Sequence, residues 1–273
     1  MSINKAEKSK RVTVQAFKKM KGKGEMISML TAYDFTMARI LDQAGIDAIL
    51  VGDSAGNVMA GYDTTLPVTK EEIIYHGRCV RRAVERAMIV VDMPFGTCCG
   101  NPEKSLKNAV DIIKGTGAEA LKIEGGEELL PDIKKILSAG IPVMGHLGLM
   151  PQSVHQYGGY GLRAKSVEEA EKLKKDALLL EQAGCFAVTL EKVPATLAGE
   201  VAALLKIPVI GIGAGNQVDG QVLVVHDMLG MNLDFTPKFV RKYAEMATIM
   251  NKAVAGYISD VKSKQFPTEE ESY

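Results

Sequence analysis

The stretch Ala120-Leu121-Lys122-Ile123-Glu124 alternates apolar and ionisable side chains with period two, the pattern of a β-strand whose two faces differ. In a closed barrel the Leu121 and Ile123 face packs against a ring of helices, which turns Lys122 and Glu124 into the barrel. Outward from this stretch the same kind of segment recurs. Short apolar runs occupy residues 26–30, 48–51, 88–91, 120–123, 142–145, 187–190, 208–212 and 222–225, each followed by Gly, Asp or Asn and then by a helix-period segment. The eight runs, together with repeated polar residues at their ends, predict a single-domain α/β (β/α)8 TIM barrel over residues 1–273. Within it, residues 1–24 read as an N-terminal extension with a short helix, and 259–273 as an acidic tail.

Helices are expected over 35–43, 70–86, 102–114 closed by Gly115, 128–139, 167–182 closed by Gly184, 195–205 and 238–258. The last is expected to start at Thr236-Pro237, a capping hydroxyl before an N1 proline. A dinucleotide-binding sheet would carry a Gly-x-Gly-x-x-Gly turn after its first strand, and Thr31-Ala32-Tyr33-Asp34 stands there instead. The late Gly211-Ile212-Gly213-Ala214-Gly215-Asn216 reads as a tight turn, with a phosphate loop as the alternative.

Composition narrows the function. Lys plus Arg and Asp plus Glu each number 33, so no basic excess exists to attract a phosphate backbone, and nucleic acid is not the expected partner. No apolar run reaches the roughly 18 residues of a membrane span, and MSINKAEKSKRVT lacks the apolar core of a secretory signal, so a cytoplasmic protein is expected. Cys79, Cys98, Cys99 and Cys185 show no zinc-site spacing and read as reduced packing thiols.

The chemistry gathers at strand ends. Asp53 and Asp92 each follow an apolar run, Lys122 and Glu124 share a face, His146 closes the fifth run and Glu191 the sixth. Singly, Asp53 could cap a helix and Asp92 could serve a turn. Jointly, five adjacent strands send ionisable groups to one rim. Asp53, Asp92 and Glu124 carry three negative charges against the one of Lys122, a surplus that burial tolerates only with a cation or a proton. Oxygen ligands select a hard ion, Mg2+ first and Mn2+ second. His146 is either a direct catalytic group or a hydrogen-bonding support behind the site.

Several strings together carry a resemblance. They are Met29-Leu30-Thr31-Ala32-Tyr33-Asp34, Val51-Gly52-Asp53-Ser54, Leu66-Pro67-Val68-Thr69, Asp92-Met93-Pro94-Phe95, Lys122-Ile123-Glu124-Gly125-Gly126, Gly145-His146-Leu147-Gly148-Leu149 with Pro151-Gln152-Ser153-Val154, and the glycine-rich turn from Ile210. In this order they resemble the ketopantoate hydroxymethyltransferase family. The resemblance implies a barrel of the phosphoenolpyruvate- and pyruvate-binding type and Mg2+-dependent hydroxymethyl transfer from 5,10-methylenetetrahydrofolate to 3-methyl-2-oxobutanoate. That reaction gives 2-dehydropantoate in pantothenate synthesis, and family members are large homo-oligomers, typically decamers. Position by position it assigns the metal to Asp53, Asp92 and Glu124, substrate contacts to Asp53, Ser54, Asp92 and Lys122, and the general base to Glu191. The wording at Thr97-Cys98-Cys99-Gly100 and Ala55-Gly56-Asn57 departs from the commonest family pattern. Two rival readings are a carbon–carbon lyase of the isocitrate-lyase kind, whose Lys-Lys/Arg-Cys-Gly-His string is absent here, and a non-catalytic scaffold barrel.

Overall fold

The computed structural model describes residues 10–233 and 236–273. Eight parallel strands close into a barrel in sequence order: β1 Ile27–Thr31, β2 Ala48–Val51, β3 Met88–Asp92, β4 Ala120–Glu124, β5 Val143–Gly148, β6 Ala187–Glu191, β7 Val209–Ile212 and β8 Gly220–Leu223. Closure is made by β1 pairing with β8, Ile27 against Gly220 and Leu30 against Leu223. This is the (β/α)8 architecture that the recurring runs predict.

The period-two alternation sorts the barrel interior into levels. Near the N-terminal ends of the strands Ile27, Met29, Ala48, Leu50, Met88, Val90, Ala120, Met144, Ala187, Ile210 and Val222 form one apolar cluster. The helix Val14–Lys23, capped by the Thr13 hydroxyl accepting from Ala16 N, contributes the fully buried Phe17 to that cluster. Phe17 meets Phe186 edge to face, with ring centroids 5.9 Å apart. Two residues further along β3, β4, β5 and β6 the buried side chains become Asp92, Lys122, His146 and Thr189. One end of the interior is therefore packed hydrocarbon, and the other is buried polar chemistry at the C-terminal strand ends.

The outer helices carry their own start and stop signals. Lys70–Ala83 opens with a reciprocal capping box between Thr69 and Glu72, and Val167–Ala183 is capped by Ser166 and closed by Gly184. Several expected boundaries shift. The helix Lys70–Ala83 stops short of residue 86 because the amides of Glu85, Arg86 and Ala87 bond to the Asp42 carboxylate instead of continuing the helix. The helix Pro102–Thr116 passes through Gly115 and ends at Gly117, whose amide bonds Ile113 O at 2.8 Å. The eighth strand begins at Gly220, where it pairs with both Ile27 and Ile210, and Val225 already opens the helix Val225–Met228. The last long helix spans Met246–Lys262, and Thr236 and Pro237 lie in irregular chain. In the irregular stretch before it the amide of Tyr243 bonds to Met228 O, and the first-turn amides of Met246 and Ala247 bond to Leu229 O and Gly230 O.

The chain divides into two compact units, the barrel unit ending at Val224 and a second unit from Val225 to Tyr273. The second holds the helices Val225–Met228 and Met246–Lys262 and a short 3-10 turn, Glu269–Glu271. No described helix is long and apolar enough to cross a membrane. All four cysteines are free, Cys79 and Cys185 buried.

After β7, Gly213 and Gly215 both take positive φ (61° and 78°), and a Cβ on Gly215 would lie 2.4 Å from that of Ala195. The glycine-rich segment thus serves as a tight turn against a neighbouring helix.

Candidate active site

The polar end of the barrel brings together the residues singled out from sequence. Asp92 closes β3, Lys122 and Glu124 lie on β4, His146 on β5, Glu191 closes β6, and Asp53 and Ser54 follow β2 after Gly52. Lys122 Nζ sits 3.0 Å from Asp92 Oδ1. The backbone N–H of Asp53 donates to Asp92 Oδ2 at 3.0 Å, which ties the end of β2 to β3. His146 lies between two carboxylates, Nδ1 3.4 Å from Glu124 Oε1 and Nε2 3.4 Å from Glu191 Oε2.

Electrostatics follow from burial and crowding. Desolvation, with the like charges of Asp92 and Glu124, pushes the Asp53 carboxyl well above the usual carboxylate range. Desolvation also raises Asp92, against the opposing pull of Lys122 and the Asp53 amide. For Glu124 burial works the same way, but the hydrogen bond and charge of His146, with Lys122 and the Gln152 amide, outweigh it and hold the carboxyl low. Burial disfavours charge on Lys122, yet Asp92, Glu124 and Asp53 overcome it and keep the ammonium protonated. Burial and Lys122 likewise oppose an imidazolium at His146, while Glu124 and Glu191 push it up to about 9.

The position of Lys122 Nζ 3.2 Å from His146 Nδ1 allows a competing arrangement, in which a neutral imidazole accepts from the ammonium. Nδ1 cannot accept from Lys122 and donate to Glu124 at once. The surplus of carboxylates favours the imidazolium.

The three acids do not meet at a single point. All three act electrostatically on Lys122, and among the described residues no group of three or more His, Cys, Asp and Glu side chains is disposed to hold a metal. The site nevertheless fits Mg2+, which commonly takes one or two protein carboxylates and completes its shell with water and substrate oxygens. Asp92 Oδ1 and Glu124 Oε1 are buried oxygens that face the cationic groups Lys122 Nζ at 3.0 Å and His146 Nδ1 at 3.4 Å, and Asp53 is held in a place hostile to its own charge.

Two contributors carry no signal as ionisable strand-end residues. Tyr33, just past β1, is 1% exposed and places its hydroxyl 2.8 Å from Ser54 Oγ, fixing that side chain. Gln152, in the turn Pro151–Ser153 after β5, donates from Nε2 to Asp53 Oδ2 at 2.9 Å and to Met93 O at 3.1 Å. Its backbone N–H donates to Glu124 Oε2 at 3.0 Å. Gln152 and Glu124 also line an adjoining cavity of about 560 Å³, walled further by Leu147, Tyr157, Arg163 and Lys172.

The backbone next to Glu191 is strained. Lys192, the next residue, has φ 45°, unusual for a residue with a side chain, and is held there by Lys192 N bonding Ile212 O and Arg163 N bonding Lys192 O. On the neighbouring strand Gly148 has φ 92°, and a Cβ there would lie 2.4 Å from Glu191 O. Gly148→Ala is therefore expected to destabilise the protein by about 1–3 kcal/mol in urea unfolding and to displace Glu191, lowering activity as well. Wild-type stability and activity in this variant would show that the strand end is not so constrained.

A family model described as ketopantoate hydroxymethyltransferase matches residues 11–269. A curated relative named 3-methyl-2-oxobutanoate hydroxymethyltransferase, from Christiangramia forsetii, is 59% identical over 273 residues, covering 100% of each chain. Another of that name from Bacteroides fragilis is 60% identical over 268 residues, 98% of each chain. Among solved structures, a phosphonopyruvate hydrolase complex with oxalate and Mg++ aligns with TM-score 0.60 at 13% identity, over 94% of this chain and 92% of that one, a likeness of fold. With near-complete coverage at this level of identity, and with the acids, Lys122 and Glu191 gathered at one end of the barrel, the chain belongs to the ketopantoate hydroxymethyltransferase family.

Proposed function

We propose that the protein transfers a hydroxymethyl group from 5,10-methylenetetrahydrofolate to 3-methyl-2-oxobutanoate, giving 2-dehydropantoate. The observation that carries this reading is the cluster of Asp53, Asp92, Lys122, Glu124, His146 and Glu191 at one end of the barrel in a member of this family. Asp53, Asp92 and Glu124 are the groups that would hold Mg2+. The bound ion supplies a Lewis acid that draws electron density from the 2-oxo group and so acidifies C3.

The chain's own residues do the rest. Lys122 and the backbone beside Ser54 orient the substrate carboxylate, while Tyr33 holds the Ser54 hydroxyl. Glu191, whose side chain is 16% exposed, takes the proton from C3 as general base. His146 lies beside it and supports its orientation from behind. Water adds to the one-carbon unit as its bonds to the folate nitrogens break and tetrahydrofolate leaves, and the electron-rich C3 attacks the resulting formaldehyde-level carbon, whose oxygen takes a proton and becomes the new hydroxyl. The adjoining cavity at Glu124 and Gln152 gives the donor its approach.

We also read the protein as a homo-oligomer, a decamer by its resemblance. In support, the helix Met246–Lys262 buries no residue and exposes Met250, Val254, Tyr257 and Val261 at alternating four- and three-residue spacing, a seam suited to a second copy.

The reading is tested by thermal unfolding with ligands. At about one hundred times its dissociation constant, 3-methyl-2-oxobutanoate contributes about 2.7 kcal/mol, a rise in Tm of roughly 5–10 °C. That rise is expected with Mg2+ and is expected to vanish with a chelator. No shift under either condition would contradict the proposed binding mode.

A further inference from the structure

We infer that Gln152 is a positioning residue of this site: its side chain fixes the Asp53 carboxylate in the orientation that meets the cation. The inference rests on the reading of Asp53 and Glu124 as cation-holding groups. Gln152 reaches from the turn after β5 back to the end of β2, across 99 positions of sequence, and spends both amide protons there, on Asp53 Oδ2 and Met93 O. Among the described residues it is the only side chain that donates to the Asp53 carboxylate. Its backbone N–H holds Glu124 Oε2, so one residue ties two of the three acids and the ends of four strands.

The chemistry of the position calls for a neutral double donor. Asp53 is 3% exposed and faces the like charges of Asp92 and Glu124, so an untethered carboxylate would turn away from them. A lysine or arginine at position 152 would hold it but would occupy the place of the cation's charge. A glutamate would add a further carboxylate to the crowd. An amide satisfies one oxygen and leaves the other, Oδ1, free for the ion.

The backbone bond to Glu124 survives any change of side chain, so Gln152→Met, nearly isosteric but without donors, removes only the Asp53 and Met93 arm. The measurement is Mn2+ binding to the full chain, followed by the electron paramagnetic resonance signal of free Mn2+, with Tm recorded beside it. Gln152→Met is expected to weaken Mn2+ binding by about 10- to 100-fold, with Tm close to that of the wild type. Gln152→Asn, which keeps the amide but falls one methylene short, is expected to lie between and is the second variant should Gln152→Met not fold. Wild-type Mn2+ affinity in either folded variant, whatever its Tm, would overturn the inference, because a merely structural tie predicts that result. A wild-type protein that binds no Mn2+ would instead overturn the cation reading, and this inference with it.

Discussion

Replacement of Asp92 by alanine is expected to lower kcat/KM by about 10³-fold or more and to abolish its dependence on Mg2+. The effect is large because Asp92 serves two partners at once, with Oδ1 3.0 Å from Lys122 Nζ and Oδ2 accepting from Asp53 N. Breaking a buried ion pair costs about 3–5 kcal/mol when the remaining charge is left uncompensated. Lys122 here keeps the attraction of Glu124 and Asp53, and loss of Asp92 relieves the repulsion that raises Asp53. The net destabilisation is therefore smaller, about 1–3 kcal/mol, measurable by urea unfolding. Asp92→Asn keeps an acceptor for the Asp53 amide and should regain much of the stability without regaining turnover. Activity within tenfold of wild type in folded Asp92→Ala would remove Asp92 from the chemistry.

Glu191→Gln separates binding from proton transfer. The amide is nearly isosteric with the carboxylate, and Glu191 closes β6 away from the Lys122 and Asp92 pair, so binding of the 2-oxo acid should persist. Proton exchange at C3 should fall by about 10²- to 10⁴-fold, the usual contribution of a general base. Unchanged exchange would take the base role away from Glu191. Lost binding with normal exchange per bound substrate would make it a substrate-contact residue.

Much of this was legible in the sequence because a barrel strand repeats every two residues. Once Leu121 and Ile123 face the helices, Lys122 and Glu124 must face inward, and the same alternation carries Met88 and Val90 on to Asp92, and Met144 on to His146. What escaped depends on partners distant in the chain. The start of β8 is set by pairing with Ile27 and Ile210, not by the apolar run at 222–225. The segment before Met246 looks helical, with Pro237 well placed at a first turn, but the Tyr243 amide bonds to Met228 O, a partner outside the segment, and the helix starts only at Met246. Gln152 is neutral and sits in a turn, so charge counting passes over it, and its bond to Asp53 exists only after the barrel closes. Charge counting brought the three acids to one rim, but it did not show that among the described residues they form no ready-made metal cluster.

The measurement that tests the account most directly is deuterium exchange at C3 of 3-methyl-2-oxobutanoate by the wild-type protein, followed by proton NMR with and without Mg2+, and with and without tetrahydrofolate. It isolates the proton abstraction assigned to Glu191 from the transfer that follows. Exchange that requires Mg2+ is the predicted result. Folded protein that exchanges no proton under any of these conditions would contradict the account.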